Sequence, residues 1–599
     1  MDKKNTVIGV LLLAAAFVAM QFAPKSTSPV SPATPAATTP ATAAVSTPGA
    51  TAPSTGGITA PAAVPSTLVA TPAAEVPATI TTLANDFIEV RFTNSGGAIR
   101  DVALKKYPAV QGKPDPFVLN QAHAEPMLAF VDLPGLSRDT AFELISQTAT
   151  EIVYRAVLDG AIEVTRRYVL PPNEGKNTDP YQLRHETTLR NLSDKPFRAF
   201  PASLSLGTAA PANANDNGLQ IATGYAHSGD FTFVKRADLE ASSGFLGMGK
   251  HPEHAFIQSP GPVTWGAVKN RFFAAILTPD APASSLITRR VKLLTELPDS
   301  MPTAYGISGA TKFEIPSIAP QAETKLGMNF YVGPKEYSRL AKTAVFKADE
   351  DKVMDFGSVF GFFAQLLNIT MTWMHNLVAS DNASRLHWGV AIILTTLALK
   401  LLTLPLTLQA SKSMKRMQKL APEMKIIREK FKDNPQKQQA AMMDLYKQHK
   451  VNPLGGCIPM LIPMPFFFGF FTMLQSTAEL RFAPFLWAPN LSMPDTVGHV
   501  LGFPINILPL ILGATMIIQM QLTPTVNMDK AQATMMKFMP VIFMIFCYNF
   551  DCALSLYSTV NGLFTIAQQI YINRMKDDGD PTPAINDRLK NVTPKKKKA

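Results

Sequence analysis

Cysteine is scarce and unevenly placed: Cys457, Cys547 and Cys552 are the three among 599 residues. With none before residue 457, no disulfide framework staples the long N-terminal part together. No histidine or second cysteine pair accompanies Cys547 and Cys552, so no metal site is indicated. All three read as small apolar residues inside a membrane. Charge is thin too: Asp, Glu, Lys and Arg make up 17% of the chain against 46% hydrophobic residues, and long apolar runs crowd the C-terminal half. That imbalance suits a membrane protein with a soluble part. Also missing are an H-E-x-x-H zinc helix, a Walker loop and a G-x-S-x-G nucleophile elbow. Nothing marks a catalytic residue, a cofactor or a small-molecule substrate, and the chain does not read as an enzyme.

What is present divides the chain by texture. Lys3 and Lys4 precede an apolar run at residues 7–22, short enough for the core of a cleaved signal peptide. Ala19-Met20-Gln21 is a poor cleavage site, so residues 1–23 are expected to form an uncleaved signal anchor. On either reading the lysines hold the N-terminus in the cytoplasm and the chain beyond the apolar run is exported. Residues 24–83 are dominated by Pro, Ala, Thr and Ser and form a linker that cannot bury enough apolar surface to fold. Over residues 84–345 short alternating runs take over. Phe87-Ile88-Glu89-Val90-Arg91-Phe92 alternates, and Asn94-Ser95-Gly96-Gly97 supplies a turn. Residues 164–170, 183–189 and 272–277 read similarly, and many short strands predict a large all-β sandwich.

Residues 353–379 are amphipathic. Phe356, Phe360, Phe363, Leu367, Met371, Met374 and Val378 recur at helical spacing, which predicts a helix lying in the membrane interface. Five apolar spans come next, at about 388–408, 457–478, 503–522, 535–550 and 552–572. With the anchor they make six crossings and place both termini in the cytoplasm. The fourth is short and is expected to form a tight hairpin with the fifth around Asn549 and Asp551. Lysine and arginine dominate residues 411–451 and the tail, where Lys595 to Lys598 stand in one run, while residues 479–500 are nearly balanced. The net charge of +11 thus obeys the positive-inside rule, and no nucleic-acid motif accompanies it. The basic segment is itself patterned as two helices. Pro422 starts one bearing Met424, Ile427 and Phe431; Asn434-Pro435 caps a second bearing Met442 and Leu445. Their apolar stripes require cover, which predicts a paired helical hairpin in the cytoplasm.

Lys400 is the most informative single residue. It stands between Leu399 and Leu401 inside an apolar span, where a charge costs on the order of 2.5–3.5 kcal/mol and normally faces water or a partner. Snorkelling to the nearby cytoplasmic interface would satisfy it without any function. A water-filled groove is the sharper reading, and Thr396, one turn earlier on the same face, would add a polar contact. Gln475 and Gln519 are further candidates for the groove, although hydrogen bonding between helices accounts for them equally.

The string Asn452-Pro453-Leu454-Gly455-Gly456-Cys457, with Met464-Pro465 after it, resembles the signature of YidC-type membrane protein insertases. So do Glu479-Leu480-Arg481, Phe538-Met539-Pro540-Val541, Pro405-Leu406-Thr407 and the lysine tail, with Leu104-Lys105-Lys106-Tyr107 and Tyr331-Val332-Gly333-Pro334-Lys335 in the exported part. The resemblance covers the whole chain apart from the linker. It implies a periplasmic β-supersandwich and a five-helix insertase core in the inner membrane, residues 387–575, with a hydrophilic groove open to the cytoplasm. It implies clients that are nascent membrane proteins, handled alone or with the Sec translocon. Lys400 stands where the family usually has arginine, so the charge is kept and the bidentate fork is lost. Thr396 matches a client-contacting position, and Tyr557-Ser558 keeps the first of two adjacent tyrosines. Pro463 stands where glutamine is usual, and Phe550-Asp551-Cys552-Ala553-Leu554 departs from a Phe-Pro-x-Gly-Leu turn. Lys415, Arg416, Lys419, Lys425 and Arg428 become candidate contacts for client or ribosome. The basic tail, residues 576–599, reads equally as a ribosome dock and as a plain topology signal.

Two other classes fit less well. Large β-sandwiches also serve sugar chemistry, and His185-Glu186 on a strand would be an acid/base pair, but strand neighbours point to opposite faces. A secondary transporter with Lys400 in its path would commonly show an inverted repeat, and none is detectable here.

Overall fold

The structure is a computed structural model that describes residues 78–574 apart from 123–124, 134–135, 137–139, 173–174, 176, 214–215, 243–250, 299–300, 358, 380–386, 433, 450–462 and 523–529. The anchor, nearly all of the linker, Cys457 with its Pro-Leu-Gly-Gly turn and the basic tail therefore lie outside the described residues. The chain divides into two compact units, one ending at Gly333 and one beginning at Pro334.

The first unit is built from strands. Residues 162–169 bury every second side chain, so Ile162, Val164, Arg166 and Tyr168 face inward while their neighbours face out. The same alternation recurs in Gln182–Asn191 and Glu151–Leu158. These strands belong to a nine-stranded sheet in the order Asp230–Lys235, Ala222–His227, Val263–Lys269, Phe273–Pro279, Glu323–Pro334, Gln182–Asn191, Ile162–Val169, Glu151–Leu158, Glu143–Gln147. Two four-stranded sheets complete the unit, one from the strands Ile80–Ala84 to Pro116–Leu119 and one containing Phe200–Ala209, Ser285–Lys292 and Tyr305–Ile315. Trp265, Phe130, Phe273 and Tyr168 are among the side chains fully buried in this unit. Each such side chain contributes roughly 1.5–3 kcal/mol relative to exposure. The turn at Asn94-Ser95-Gly96-Gly97 forms as the sequence predicts. Gly97 has φ +53, and a Cβ there would come within 2.9 Å of the Phe142 ring.

Arg166 is a charged side chain in a core position. Its guanidinium donates to the carbonyls of Gly96 (2.7 Å) and Leu128 and lies 5.1 Å from the centre of the Phe130 ring. His185 stacks on Tyr168 at 4.3 Å beside it. His185 is fully buried while Glu186 faces the other side and reaches Lys325 at 3.7 Å, so the two do not form an acid/base pair.

The second unit is helical. Its longer helices among the described residues are α1 (Gly361–Val378), α2 (His387–Lys419), α3 (Ala421–Lys430), α4 (Pro435–Gln448), α5 (Pro463–Leu474), α6 (Ile507–Leu522), α7 (Lys530–Cys547) and α8 (Cys552–Arg574). One core joins Leu367 and Met371 of α1, Ile392 of α2, Phe470 and Met473 of α5, Leu508 of α6 and Leu554 of α8. Glu479-Leu480-Arg481 forms a turn that places Leu480 in the same core. Among the described residues one helical stretch, His387–Ser411, is both long and apolar enough to cross a bilayer; Pro463–Leu474, Ile507–Leu522 and Lys537–Cys547 are shorter apolar helices.

Several boundaries differ from those the sequence predicts. The span expected to end near residue 408 continues as one helix through Pro405 to Lys419, so the first helix of the basic hairpin begins at Ala421 and not at residue 411. Proline removes one backbone bond, and neighbouring helices and hydroxyls compensate for the loss. The apolar run at 503–522 is not all helix: Thr496–Val500 and Phe503–Asn506 pair as an antiparallel hairpin, and α6 starts at Ile507. The described part of the run at 457–478 is helical only to Leu474. Phe431 caps α3 instead of lying on its stripe.

Candidate functional site

Lys400 sits on α2 and is half-buried. Its Nζ donates to Thr565 Oγ1 on α8 at 3.0 Å and lies 5.9 Å from the centre of the Phe564 ring. None of α2, α5, α6, α7 and α8 contains an aspartate or glutamate, so no acid in these helices neutralises that ammonium. The contact belongs to a polar seam along the second half of α8. Gln568 Nε2 donates to Thr407 Oγ1 at 2.9 Å, one turn further along α8 and about two turns further along α2. On the side facing α6, Gln519 Nε2 donates to the Gly562 carbonyl at 3.1 Å and Asn573 Nδ2 to that of Leu522 at 3.1 Å. The small Gly562 allows the approach: a Cβ there would stand 2.7 Å from Thr515 Oγ1.

The predicted groove residues separate into three groups. Lys400 and Gln519 both reach α8 within one turn, at Thr565 and Gly562. Thr396 and Tyr557 are buried instead: the Thr396 hydroxyl donates to its own helix at Ile392 O (2.7 Å), and Tyr557 stacks on Phe470 at 4.1 Å. Gln475 comes directly after the last residue of α5, and its backbone N–H donates to the Phe471 carbonyl at 3.3 Å. Thr565 itself does not stand out in the sequence as a single residue. Its signal lies in the spacing Asn561, Thr565, Gln568, which puts three polar side chains on one helical stripe.

The basic hairpin has its own small core of Met417, Leu420, Met424 and Leu445, flanked by Ile427, Met442 and Tyr446. Asn434 caps α4 by accepting from the Lys437 backbone N–H at 3.0 Å. Arg416 and Lys419 are exposed on the last turn of α2, and Lys425 and Arg428 on α3. Lys415 is on α2, and its side chain lies outside the described residues. The two described cysteines, Cys547 and Cys552, are free and buried.

A β-rich domain and, after it, apolar helices that share a lysine-bearing polar seam define a class: a membrane protein with a large β domain ahead of its apolar helices. Residues 80–370 match the family model described as YidC periplasmic domain, and residues 379–579 match that described as 60Kd inner membrane protein. A membrane protein insertase YidC of Syntrophus aciditrophicus is 32% identical over 500 residues, covering 81% of this chain and 82% of that protein. One from Geobacter sp. is 42% identical over 259 residues, 43% of this chain and 45% of that protein. Among solved structures, an active YidC insertase with its first transmembrane domain resolved is similar at 18% identity, covering 82% of this chain and 93% of that chain, with a TM-score of 0.30. The chain belongs to the YidC family of membrane protein insertases.

Proposed function

We propose that the chain inserts transmembrane segments of client proteins into the bacterial inner membrane through the seam around Lys400, and that it does so without covalent chemistry. The observation that carries the reading is the Lys400 ammonium: it is held between two apolar helices, bonded to a hydroxyl and unmatched by any acid in those helices. A half-buried cation in that position attracts the acidic exported end of a short client segment. The membrane potential then favours outward movement of negative charge by about 2.3 kcal/mol per charge per 100 mV. Apolar burial drives the client helix into lipid.

In this reading the chain crosses the membrane six times, counting the anchor at residues 1–23, with both termini in the cytoplasm and residues 84–345 in the periplasm. The helix α1 lies in the interface, which its exposed Phe362 (71%), Trp373 (59%) and Leu377 (63%) support. The hairpin of α3 and α4 and the tail receive clients in the cytoplasm, beside the ribosome and, for some clients, the Sec translocon.

The test is complementation in cells depleted of their own insertase, supplied with this chain, Lys400→Arg or Lys400→Ala. Insertion of a single-span client with an acidic exported end is scored by protease accessibility. Insertion by the parent chain and Lys400→Arg but not by Lys400→Ala is the expected result. Equal insertion by Lys400→Ala would show that hydrophobic partitioning alone suffices.

A further inference from the structure

The segment between α5 and α6 carries two tight, exposed tips. In the first, Phe485 and Ala488 exchange backbone hydrogen bonds of 2.8 and 2.9 Å around Leu486 and Trp487. Those two side chains are 64% and 44% exposed. In the second, Val500 pairs with Phe503 around Leu501-Gly502, with Leu501 97% and Phe503 76% exposed. Leu486 and Leu501 adopt φ +50 and +51, a region that glycine or asparagine normally fills at such turns. Each tip thus puts a leucine where backbone conformation disfavours it and leaves it largely exposed among the described residues. Neither choice helps the tip to fold.

A buried carboxylate ties the first tip to the start of α6, and the chain itself joins the second tip to that same end. Asp495 Oδ2 accepts from the Trp487 indole N–H (3.1 Å) and from the Leu508 backbone N–H in the first turn of α6 (2.8 Å). The strand Phe503–Asn506 runs into Ile507 with no residue between. Residues 496–522 contain no Asp, Glu, Lys or Arg. The described α6 has 16 residues and so spans about 24 Å, short of the roughly 30 Å of a hydrocarbon core. An apolar run long enough to cross begins in the hairpin, before the helix does.

On the membrane reading given under the proposed function, on which this inference rests, we propose that the two tips are a lipid anchor: Leu486, Trp487, Leu501 and Phe503 seat in the outer leaflet at the level of the headgroups and first methylenes. A two-stranded hairpin has open backbone edges, so its main chain stays at the headgroup level and only side chains go deeper. Trp487 suits that level, with its N–H satisfied by Asp495 and its ring exposed. A protein partner fits less well, because the tips are separate convex points without the charge pattern that fixes orientation in a protein interface.

The experiment places an environment-sensitive fluorophore at Leu501→Cys or Phe503→Cys in the full chain, reconstituted in phosphatidylethanolamine–phosphatidylglycerol vesicles. The unsubstituted chain is labelled in parallel to subtract signal from its own cysteines. The expected result is blue-shifted emission, quenched severalfold more by lipids with a nitroxide near the headgroup than by lipids with one near the chain end, and little quenched by aqueous iodide. In Leu501→Asn, which suits the turn and leaves the fold intact, the Phe503→Cys label loses most of its lipid quenching. A label quenched by iodide and not by lipid overturns the anchor, and a label shielded from both overturns it in favour of a protein contact. Flotation of the same vesicles separates the two readings. Watery tips on a chain that floats defeat the anchor alone, and a chain that does not float defeats the membrane reading with it.

Discussion

Replacing Lys400 with leucine separates a functional charge from a structural one. A lysine inside an apolar helix costs on the order of 2.5–3.5 kcal/mol relative to an apolar residue. Against this stands its hydrogen bond to Thr565 Oγ1 at 3.0 Å. A bond to a charged group contributes about 1.5–3 kcal/mol. Removing the ammonium strands no donor on α8, because the Thr565 hydroxyl already donates to the Asn561 carbonyl at 2.7 Å. The net expectation for Lys400→Leu is a protein between unchanged and about 2 kcal/mol more stable. Insertion of clients with acidic exported ends falls in the same variant, a loss of function without a loss of fold. Stability is read from SDS-driven unfolding of the purified chain in mixed micelles, monitored by tryptophan fluorescence, with insertion measured in parallel. A destabilisation of more than about 1.5 kcal/mol would refute the reasoning, because the lysine would then be a structural pin between α2 and α8.

The β unit should weaken on acidification. Burial, and next to it the Arg166 guanidinium, hold the His185 imidazole neutral with its pKa well below the ordinary 6.5. The unfolded chain therefore binds the extra proton below pH 6.5, and stability falls as pH drops, by about 1.4 kcal/mol per unit. Near-UV circular dichroism during guanidinium unfolding at two pH values measures the slope, which His185→Gln should flatten. In the helical unit, a Cβ at Gly389 would come within 2.0 Å of the Phe485 ring. Gly389→Ala should lose about 1–3 kcal/mol by overpacking, and Phe485→Leu in the same chain should recover part of it, as thermal unfolding of the single and double variants would report.

Much of this architecture was legible because local signals and global packing agree. Alternation gave the strands around Val164 and Leu183, and Asn434-Pro435 marked the start of α4 because an asparagine side chain and a proline ring each suit that position. Lys400 stood out because a charge in an apolar run demands explanation. The misses also have physical reasons. Alternation puts Arg166 on the inner face with Val164 and Tyr168, but its partners, the carbonyls of Gly96 and Leu128, come from elsewhere in the chain and leave no local signal. Hydropathy registers the Phe503–Asn506 strand and α6 as one run, because composition does not separate an exposed apolar strand from an apolar helix. The basic residues after 411 suggest a loop, whereas α2 continues through them to Lys419 and buries Met417 in the hairpin core, beside Leu420 at the turn into α3. Thr396 carried the right residue type for a groove, but a hydroxyl on a helix can bond back to the carbonyl four residues earlier, and this one does.

Site-specific photocrosslinking to a ribosome-stalled client tests the central claim most directly. Thr403 lies one turn from Lys400 on the same face of α2 and is partly buried, while its neighbour Leu402 is 73% exposed on another face. A benzophenone amino acid at Thr403 should crosslink to the client's transmembrane segment, and the same probe at Leu402 should give much less. Equal crosslinking from Leu402, or none from Thr403 in a chain that still inserts the client, would contradict a client path along the Lys400 seam.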